Sequence, residues 1–282
     1  VCNTIGNVKG IQVGGSHNVL KNVSTYRCGD TGLQISGSST EPPEKWPRDN
    51  LVLNCLSYDN FDPAANNADG FAAKLTCGEG NVFRGCVAYS NIDDGWDLYS
   101  KIDTGPIGAV LIDGCLSYRN GSRADGSGNG AGNGFKMGGD GTAVAHRILH
   151  SVAFENGTSG ISSNSDPAII VENCTAFGNR QANFAFYGKG AGERRFQARN
   201  NVSLRGGSAD LYRESPELAS PDNYFWNGAR CLNSLGQPLS TDIFVSVDPA
   251  VLPVRRADGT IDMRGFLVLN DRAPPGIGAL IR

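Results

Sequence analysis

The chain contains 282 residues, of which 39 % are hydrophobic, 19 % are charged and 38 are glycine. This length and hydrophobic fraction suffice for a sizeable core, so we expect residues 1–282 to form one folded domain rather than a disordered chain. No apolar run approaches the roughly 20 residues of a membrane helix, and we expect no membrane span. The 25 basic against 28 acidic residues give a net charge of −3, which leaves no basic footprint for nucleic acid.

A short sequence motif recurs along the chain. Its clearest copies occupy residues 54–60, 85–91 and 114–120, and weaker copies occupy residues 151–156 and 174–179. The steps between copies are irregular but stay within the range of about 20 to 50 residues that is typical of stacked repeats. Each copy is a short β-branched and aromatic run flanked by Gly, Asn or Asp, which predicts a strand followed by a turn.

Repeated short strands with nothing helical between them predict an all-β fold, namely a right-handed parallel β-helix in which each repeat is one rung of a solenoid. Successive rungs then lie about 4.8 Å apart, and equivalent side chains stack on one another. We expect less regular C-terminal rungs and a cap over about residues 205–282.

Two stacks follow from positions counted from the cysteine, or its equivalent, near the start of each copy. Asn always stands five positions later and predicts an asparagine ladder of side-chain hydrogen bonds. An aromatic residue always stands three positions later and predicts a stack packed in the core. The ladder residues are Asn60, Asn91, Asn120, Asn156 and Asn179, and the aromatic residues are Tyr58, Tyr89, Tyr118, Phe154 and Phe177.

The cysteines divide into two groups of four. Cysteines that share one position of the repeat are expected to stack as small buried hydrophobic residues without disulfides. They are Cys55, Cys86, Cys115 and Cys174. The sequence leaves open a disulfide among the other four, without assigning a pairing, and these are Cys2, Cys28, Cys77 and Cys231.

A second register follows each ladder residue. One glycine per rung aligns the segments 68–71, 93–97, 133–136 and 159–161. The large apolar residue after that glycine points inward, so the next residue along the strand points outward.

Two adjacent rungs of this register carry four aspartates, Asp69, Asp93, Asp94 and Asp97. Carboxylates this close repel one another unless a cation neutralises them, and a set of oxygen ligands without His or Cys suits a hard ion such as calcium. The alternative is that Asp-Gly pairs merely form turns, which accounts for one or two of the four. We therefore predict a calcium site.

Lys136 aligns with Asp97 on the next rung, which places its Cα roughly 4.8 Å from that of a predicted ligand. A nearby divalent cation disfavours an ammonium, lowers the lysine pKa and makes Lys136 a candidate base. The alternative is a solvated or salt-bridged strand lysine. Long loops of eight residues (61–68) and twelve residues (121–132) leave the same edge and predict the walls of a cleft for an extended polymer.

Five segments resemble the family 9 polysaccharide lyases, the pectate lyase type with a parallel β-helix. They occupy residues 67–74, 80–86, 93–98, 132–136 and 274–278. The resemblance extends from about Gly10 to Gly278. Compared with that family, the chain begins late, and we expect an absent or abbreviated N-terminal cap.

The resemblance implies a calcium-dependent pectate lyase that cleaves polygalacturonate by β-elimination into 4,5-unsaturated products. It implies calcium ligands at Asp69, Asp93, Asp94 and Asp97, with the backbone carbonyl of Trp96, and Lys136 as the catalytic base. Lys74, Lys101 and Arg123 are further candidates to pair with substrate carboxylates.

The expected partner is an acidic polysaccharide, and we expect a monomer. Residues 1–4 carry no basic start followed by an apolar segment, so the sequence shows no secretory signal. A polysaccharide lyase of this type is nevertheless expected outside the cell.

Two other functions remain open. An inverting β-helix glycoside hydrolase would also group aspartates, but it needs two carboxylates about 6.5 to 9.5 Å apart and no metal. A non-catalytic polysaccharide-binding β-helix would use calcium only to hold rungs together.

Overall fold

The computed structural model describes residues 8–188 and 195–281, which form a parallel β-helix of three sheets. Each sheet contains seven parallel strands, and the chain visits the three sheets in turn. The first sheet contains β1 (Ile11–Val13), β4 (Leu33–Ile35), β7 (Phe71–Ala73), β10 (Trp96–Asp97), β13 (Phe135–Lys136), β16 (Ile161–Ser162) and β19 (Phe184–Ala185).

The other two sheets complete each rung. The second sheet contains β2 (Val19–Lys21), β5 (Leu51–Leu53), β8 (Asn81–Arg84), β11 (Val110–Asp113), β14 (Arg147–Leu149), β17 (Ile170–Glu172) and β20 (Gln197–Arg199). The third sheet contains β3 (Ser24–Tyr26), β6 (Leu56–Tyr58), β9 (Val87–Tyr89), β12 (Leu116–Tyr118), β15 (Val152–Phe154), β18 (Thr175–Phe177) and β21 (Val202–Leu204).

The remaining elements are short. Two antiparallel pairs join β22 (Phe225–Trp226) to β23 (Cys231–Leu232) and β24 (Val254–Arg255) to β25 (Ile261–Asp262). Three 3₁₀ turns occupy Pro43–Lys45, Pro216–Leu218 and Thr241–Ile243. Within residues 8–188 and 195–281, no helix has the length and apolar character needed to cross a membrane.

In several rungs, the chain leaves the third sheet through a residue whose backbone has a positive φ, in the left-handed region. Arg27, Asp59, Ser90, Arg119 and Glu155 hold this position with φ between 52° and 54°. A left-handed backbone costs a residue with a Cβ roughly 1 kcal/mol or more. The residue that follows in each later rung is a ladder asparagine, whose hydrogen bonds offset this cost.

The asparagine ladder is confirmed. Asn60 Nδ2 donates to Asn91 Oδ1 at 2.8 Å, and the next three steps of the ladder are each 2.9 Å long. The last step runs from Asn179 Nδ2 to Asn183 Oδ1 at 2.8 Å. Each accepting oxygen also receives the backbone N–H of the rung before it. These groups are buried, and an unpaired one would cost about 1–3 kcal/mol.

A column of glycines makes room for the ladder. A Cβ at Gly70 would lie 2.8 Å from Asn91 Nδ2, and one at Gly160 would lie 2.6 Å from Asn179 Nδ2. The same crowding occurs at Gly32, Gly95 and Gly134. The glycine that aligns the second register in the sequence is therefore required because the ladder amides fill the space of its side chain.

The interior is filled by the large residues of the first sheet. Trp96 stacks between Phe71 and Phe135 with ring centroids 4.8 Å apart on both sides. All three rings are fully buried. The alignment of these residues predicted in the sequence is confirmed by the strand register.

The aromatic column of the third sheet differs from its prediction in position. Tyr58, Tyr89, Tyr118 and Phe154 do stack, with centroids 4.6 to 5.0 Å apart. They lie on the outer face of the sheet. The residue before each of them, such as Ser57 before Tyr58, is small and points inward beside the ladder. Phe177 meets Phe266 edge-on at 5.9 Å, and no stacking with Phe154 is found.

The C-terminal part of the chain covers this outer column. Bridges at Leu211 and Tyr224 add one partial rung. Beyond it, Phe244, Ile261 and Phe266 pack against the outward residues of the third sheet in a second hydrophobic core. The segment after about residue 226 therefore lies along the side of the β-helix.

The repeat cysteines are buried and free, as predicted, at Cys55, Cys86, Cys115 and Cys174. Of the four other cysteines, Cys77 and Cys231 are also free. Cys28 is disulfide-bonded, and Cys2 lies outside the described residues. Cys77 and Cys231 are therefore buried thiols and take no part in the disulfide that the sequence left open.

Because the ladder amides occupy the space of a Cβ, Gly160→Ala should lower the free energy of unfolding by about 1–3 kcal/mol. Gly14→Ala is the matched control, since the nearest atom to its added Cβ is 3.8 Å away. Denaturant unfolding of both variants measures the effect. Equal stability of the two would contradict the packing described here.

Candidate metal and catalytic site

The strand register brings the predicted site residues together. Asp97 pairs with Lys136 on the following strand and with Ala72 on the preceding one. Asp69, Asp94 and Asn133 precede the glycines of the same three rungs. The site therefore lies where successive turns enter the first sheet.

Asp69, Asp93 and Asp94 form a compact carboxylate cluster. All three are buried, and one oxygen from each lies within 4.8 Å of the others. The Asp94 N–H donates to Asp69 Oδ1 at 3.3 Å, and the N–H and Nδ2 of Asn133 donate to Asp94 Oδ1 at 2.7 and 2.8 Å. Buried Asp93 Oδ1 has no hydrogen-bond partner. Such an oxygen is an unused acceptor that a cation can take up.

Burial and mutual repulsion keep these carboxyls from ionising easily. Burial raises the pKa of Asp93 to about 9, and the neighbouring charges of Asp94 and Asp69 add to it. Burial likewise raises the pKa of Asp69 to about 7, against the opposing effect of Lys74. The pKa of Asp94 is also raised, chiefly by burial. The surroundings of the cluster thus only partly stabilise the ionised form of these carboxyls.

Two lysines face this cluster. Lys136 Nζ lies 3.2 Å from Asp94 Oδ2 and 3.4 Å from Asp97 Oδ1. Lys74 Nζ lies 2.7 Å from Asp69 Oδ2 and 2.9 Å from Asp97 Oδ2. Burial alone would raise the pKa of Asp97, but the charges of Lys136 and Lys74 outweigh it and hold that pKa below its usual value.

The lysines are held as ammonium groups by the same contacts. Burial on its own lowers the pKa of Lys136, but the carboxylates of Asp97, Asp94, Asp69 and Asp93 together raise it. The pKa of Lys74 is raised in the same way by Asp69 and Asp97. Lys136 can act as a base only when much of that negative charge is neutralised.

The donor set fits a hard divalent cation. Every side-chain ligand is a carboxylate oxygen, as calcium prefers. When all four carboxyls are ionised, they and the two ammonium groups leave two net negative charges, which one divalent ion would balance. The unpartnered oxygen of Asp93 adds a free ligand. The geometry converges on Asp69, Asp93 and Asp94, while Asp97 lies beside them with its oxygens toward the lysines.

Trp96 can contribute only backbone to such a site. Its ring is fully buried between Phe71 and Phe135, so its side chain is committed to the core.

The other two predicted cations lie away from the cluster. Lys101 is exposed and borders a cavity of about 370 Å³ next to Ser36 and Thr76. Arg123 lies over the ring of Phe61 at 4.0 Å and 3.7 Å from Asp59. Neither Lys101 nor Arg123 contacts Asp69, Asp93, Asp94 or Asp97 in the part of the chain that the structure describes.

Tyr99 is a neighbour of Lys136 that the sequence did not single out. Lys136 Nζ lies 5.4 Å from the centre of its ring, and its hydroxyl donates to Asp140 Oδ1 at 2.7 Å. Tyr99 follows Asp97 by two positions on the same outward face, and this spacing is the signal that could have found it.

The two long loops are fixed next to the site. Asp62 accepts four backbone N–H groups from residues 64, 66, 67 and 68, which shapes the first loop. In the second loop, the Ala124 N–H donates to Asp59 at 3.1 Å. A Cβ on Gly130 would collide with the backbone oxygen of Ile92, beside Asp93. The loops therefore wall the edge that carries the aspartates.

The raised pKa of Asp93 gives a prediction for protein treated with a chelator. A carboxyl whose pKa is higher in the folded than in the unfolded state destabilises the fold as it ionises, here as the pH rises from about 4 to about 9. Asp93→Asn should therefore gain stability over the wild type across this range, by at least about 1 kcal/mol. Denaturant unfolding at several pH values measures the difference. A difference independent of pH would contradict the assigned environment of Asp93.

Comparisons with known proteins show which proteins the chain resembles. Over 265 residues, the chain is 45 % identical to "Pectate lyase L" of Paenibacillus polymyxa, covering 92 % of this chain and 57 % of that protein. Over 241 residues it is 46 % identical to "Pectate lyase L" of Thermoclostridium stercorarium, covering 85 % of this chain and 19 % of that protein. The chain thus spans about half or less of these two relatives.

Solved structures show the same fold. "Crystal structure of pectate lyase Pel9A" aligns with a TM-score of 0.71 and 31 % identity, covering 94 % of this chain and 62 % of that chain. A rhamnogalacturonan lyase aligns with a TM-score of 0.63 at 23 % identity, which supports the fold alone.

A family model described as "Pel9A-like, right handed beta helix region" matches residues 1–201. This description also agrees with the predicted right-handed sense of the solenoid. The chain therefore belongs to the Pel9A-like right-handed β-helix family, the family 9 polysaccharide lyases that its motifs resemble.

Proposed function

We propose that the chain is a calcium-dependent pectate lyase that cleaves polygalacturonate by β-elimination. Similar proteins are named pectate lyases, at 45 and 46 % identity. The observation that carries the proposal is the contact of Lys136 with Asp94 and Asp97. Asp94 is itself one of three carboxylates whose oxygens lie within 4.8 Å of one another.

Asp69, Asp93 and Asp94 would hold the calcium ion, together with Asp97 and the backbone carbonyl of Trp96. Bound there, calcium would supply positive charge to stabilise the negative charge that develops on the uronate carboxylate. Lys136 would lie beside that carboxylate because its ammonium contacts the same aspartates.

Lys136 would remove the proton at C5 of the uronate. Its pKa is raised by four carboxylates, and pairing of these carboxylates with calcium leaves burial to favour the neutral amine. The amine nitrogen then accepts the C5 proton. The electron pair of the C–H bond forms the C4–C5 double bond, and O4 departs with the pair of the C4–O4 bond.

The walls formed by residues 61–68 and 121–132 suit a long chain of sugars. Lys101 and Arg123 would pair with uronate carboxylates away from the reacting sugar. Such a polymer lies outside the cell, so the enzyme would act there, as a single chain.

The spacing of the carboxylates favours this proposal over a glycoside hydrolase. An inverting hydrolase leaves room for water between two carboxyls about 6.5 to 9.5 Å apart. Here three of the four aspartates bring oxygens within 4.8 Å of one another, and the fourth is occupied by lysines.

The reaction is tested by incubating the protein with polygalacturonate and following the ultraviolet absorbance of the unsaturated product. The absorbance should rise with calcium and stay flat with excess chelator. New reducing ends without absorbance would indicate a hydrolase. Binding of the polymer without either signal, in folded protein, would indicate a non-catalytic module.

The base assignment predicts that Lys136→Ala loses activity by about 10²- to 10⁴-fold while it still binds calcium. Lys21→Ala is the matched control, because Lys21 lies in the exposed strand β2 of the second sheet. Steady-state rates and calcium titration of both variants measure these effects. Full activity of Lys136→Ala would overturn the assignment.

A further inference from the structure

Lys74 lies inside the carboxylate cluster rather than along the open cleft. Its ammonium contacts Asp69 at 2.7 Å and Asp97 at 2.9 Å, and only 12 % of its side chain is exposed. Lys74 Nζ thus bridges two aspartates that lie on successive rungs. A side chain held in this way has little freedom to reach a distant substrate carboxylate.

Lys74 also differs from Lys136 in its role. Lys136 faces Asp94 and Asp97 beside the ring of Tyr99 and is the proposed base. Lys74 follows strand β7, two rungs before Lys136, and contacts the cluster from the side of Asp69. Nothing in the proposed proton transfer requires this second ammonium.

The positive charge of Lys74 nevertheless helps to set the net charge of the site. When the four aspartates are ionised to bind a cation and both lysines are charged, the site has two net negative charges, which one divalent ion would neutralise. Without the charge of Lys74, the site would have three net negative charges. At distances of a few Å in a buried site, one unit of charge changes the energy of a bound ion substantially.

We propose that Lys74 is a resident counter-charge that sets the site for one divalent cation and against ions of higher charge. This inference rests on the calcium site of the proposed function. It makes Lys74 a determinant of metal selectivity that acts through Asp69 and Asp97 and does not contact the substrate.

The test compares Ca²⁺ with Tb³⁺, a trivalent ion that also prefers oxygen ligands. Calorimetric titration of chelator-stripped protein, without substrate, gives the affinity for each ion. Lys74→Met keeps the length of the side chain and removes its charge, and it should raise the ratio of Tb³⁺ to Ca²⁺ affinity by at least about ten-fold. Lys74→Arg should keep the wild-type ratio.

Lys21→Met is the matched control, since Lys21 lies in the exposed strand β2 of the second sheet, away from the four aspartates of the site. It should leave the ratio unchanged. An unchanged ratio in Lys74→Met, or equal loss of both affinities, would overturn the proposal and leave Lys74 a purely structural role. Should Lys74→Met fail to fold, Lys74→Gln supplies the same comparison.

Failure of the proposed function would look different. If the wild-type protein binds no calcium, the metal site itself is absent. If it binds calcium but releases no unsaturated product, only the lyase activity fails. The effect of Lys74 on the ratio of Tb³⁺ to Ca²⁺ affinity can then still be measured.

Discussion

The hydrogen-bonded asparagine ladder is the interaction on which the rest of the structure depends. It fixes the register between rungs, because each ladder amide spans one step of 2.8 to 2.9 Å to the next. That register in turn requires glycine two positions before Asp97 and Lys136, and so it places these two side chains side by side on neighbouring strands. A slip of one residue would turn Asp97 into the core.

The site combines groups that are unstable apart. Burial raises the pKa values of Asp69, Asp93 and Asp94. Both lysines are held as ammonium groups by the aspartates around them. The burial of Asp69, Asp94 and Asp97 is tolerated because a lysine ammonium lies 2.7 to 3.4 Å from each of them. In the proposed function, a divalent cation would complete this balance and release Lys136 to act as a base. Structure and proposed chemistry therefore rest on one set of contacts.

Much of this could be predicted from sequence because a β-helix turns sequence spacing into spatial register. The ladder follows from the constant spacing of the asparagines from the repeat cysteine, and the Phe71–Trp96–Phe135 stack and the pairing of Asp97 with Lys136 follow from the aligned glycines. Two features did not follow. Spacing does not show where the long, flexible side chain of Lys74 ends, and the repeat does not reveal that a distant segment around Phe266 covers the aromatic column from outside.

The central claim is that Lys136 lies beside a uronate held by calcium at the aspartate cluster. It is tested most directly by a crystal structure of the Lys136→Ala protein with calcium and an oligogalacturonate. The account predicts one calcium ion among Asp69, Asp93 and Asp94, bound to a uronate carboxylate, with C5 of that sugar facing residue 136. An oligosaccharide bound elsewhere, or a uronate with C5 turned away from residue 136, would contradict it.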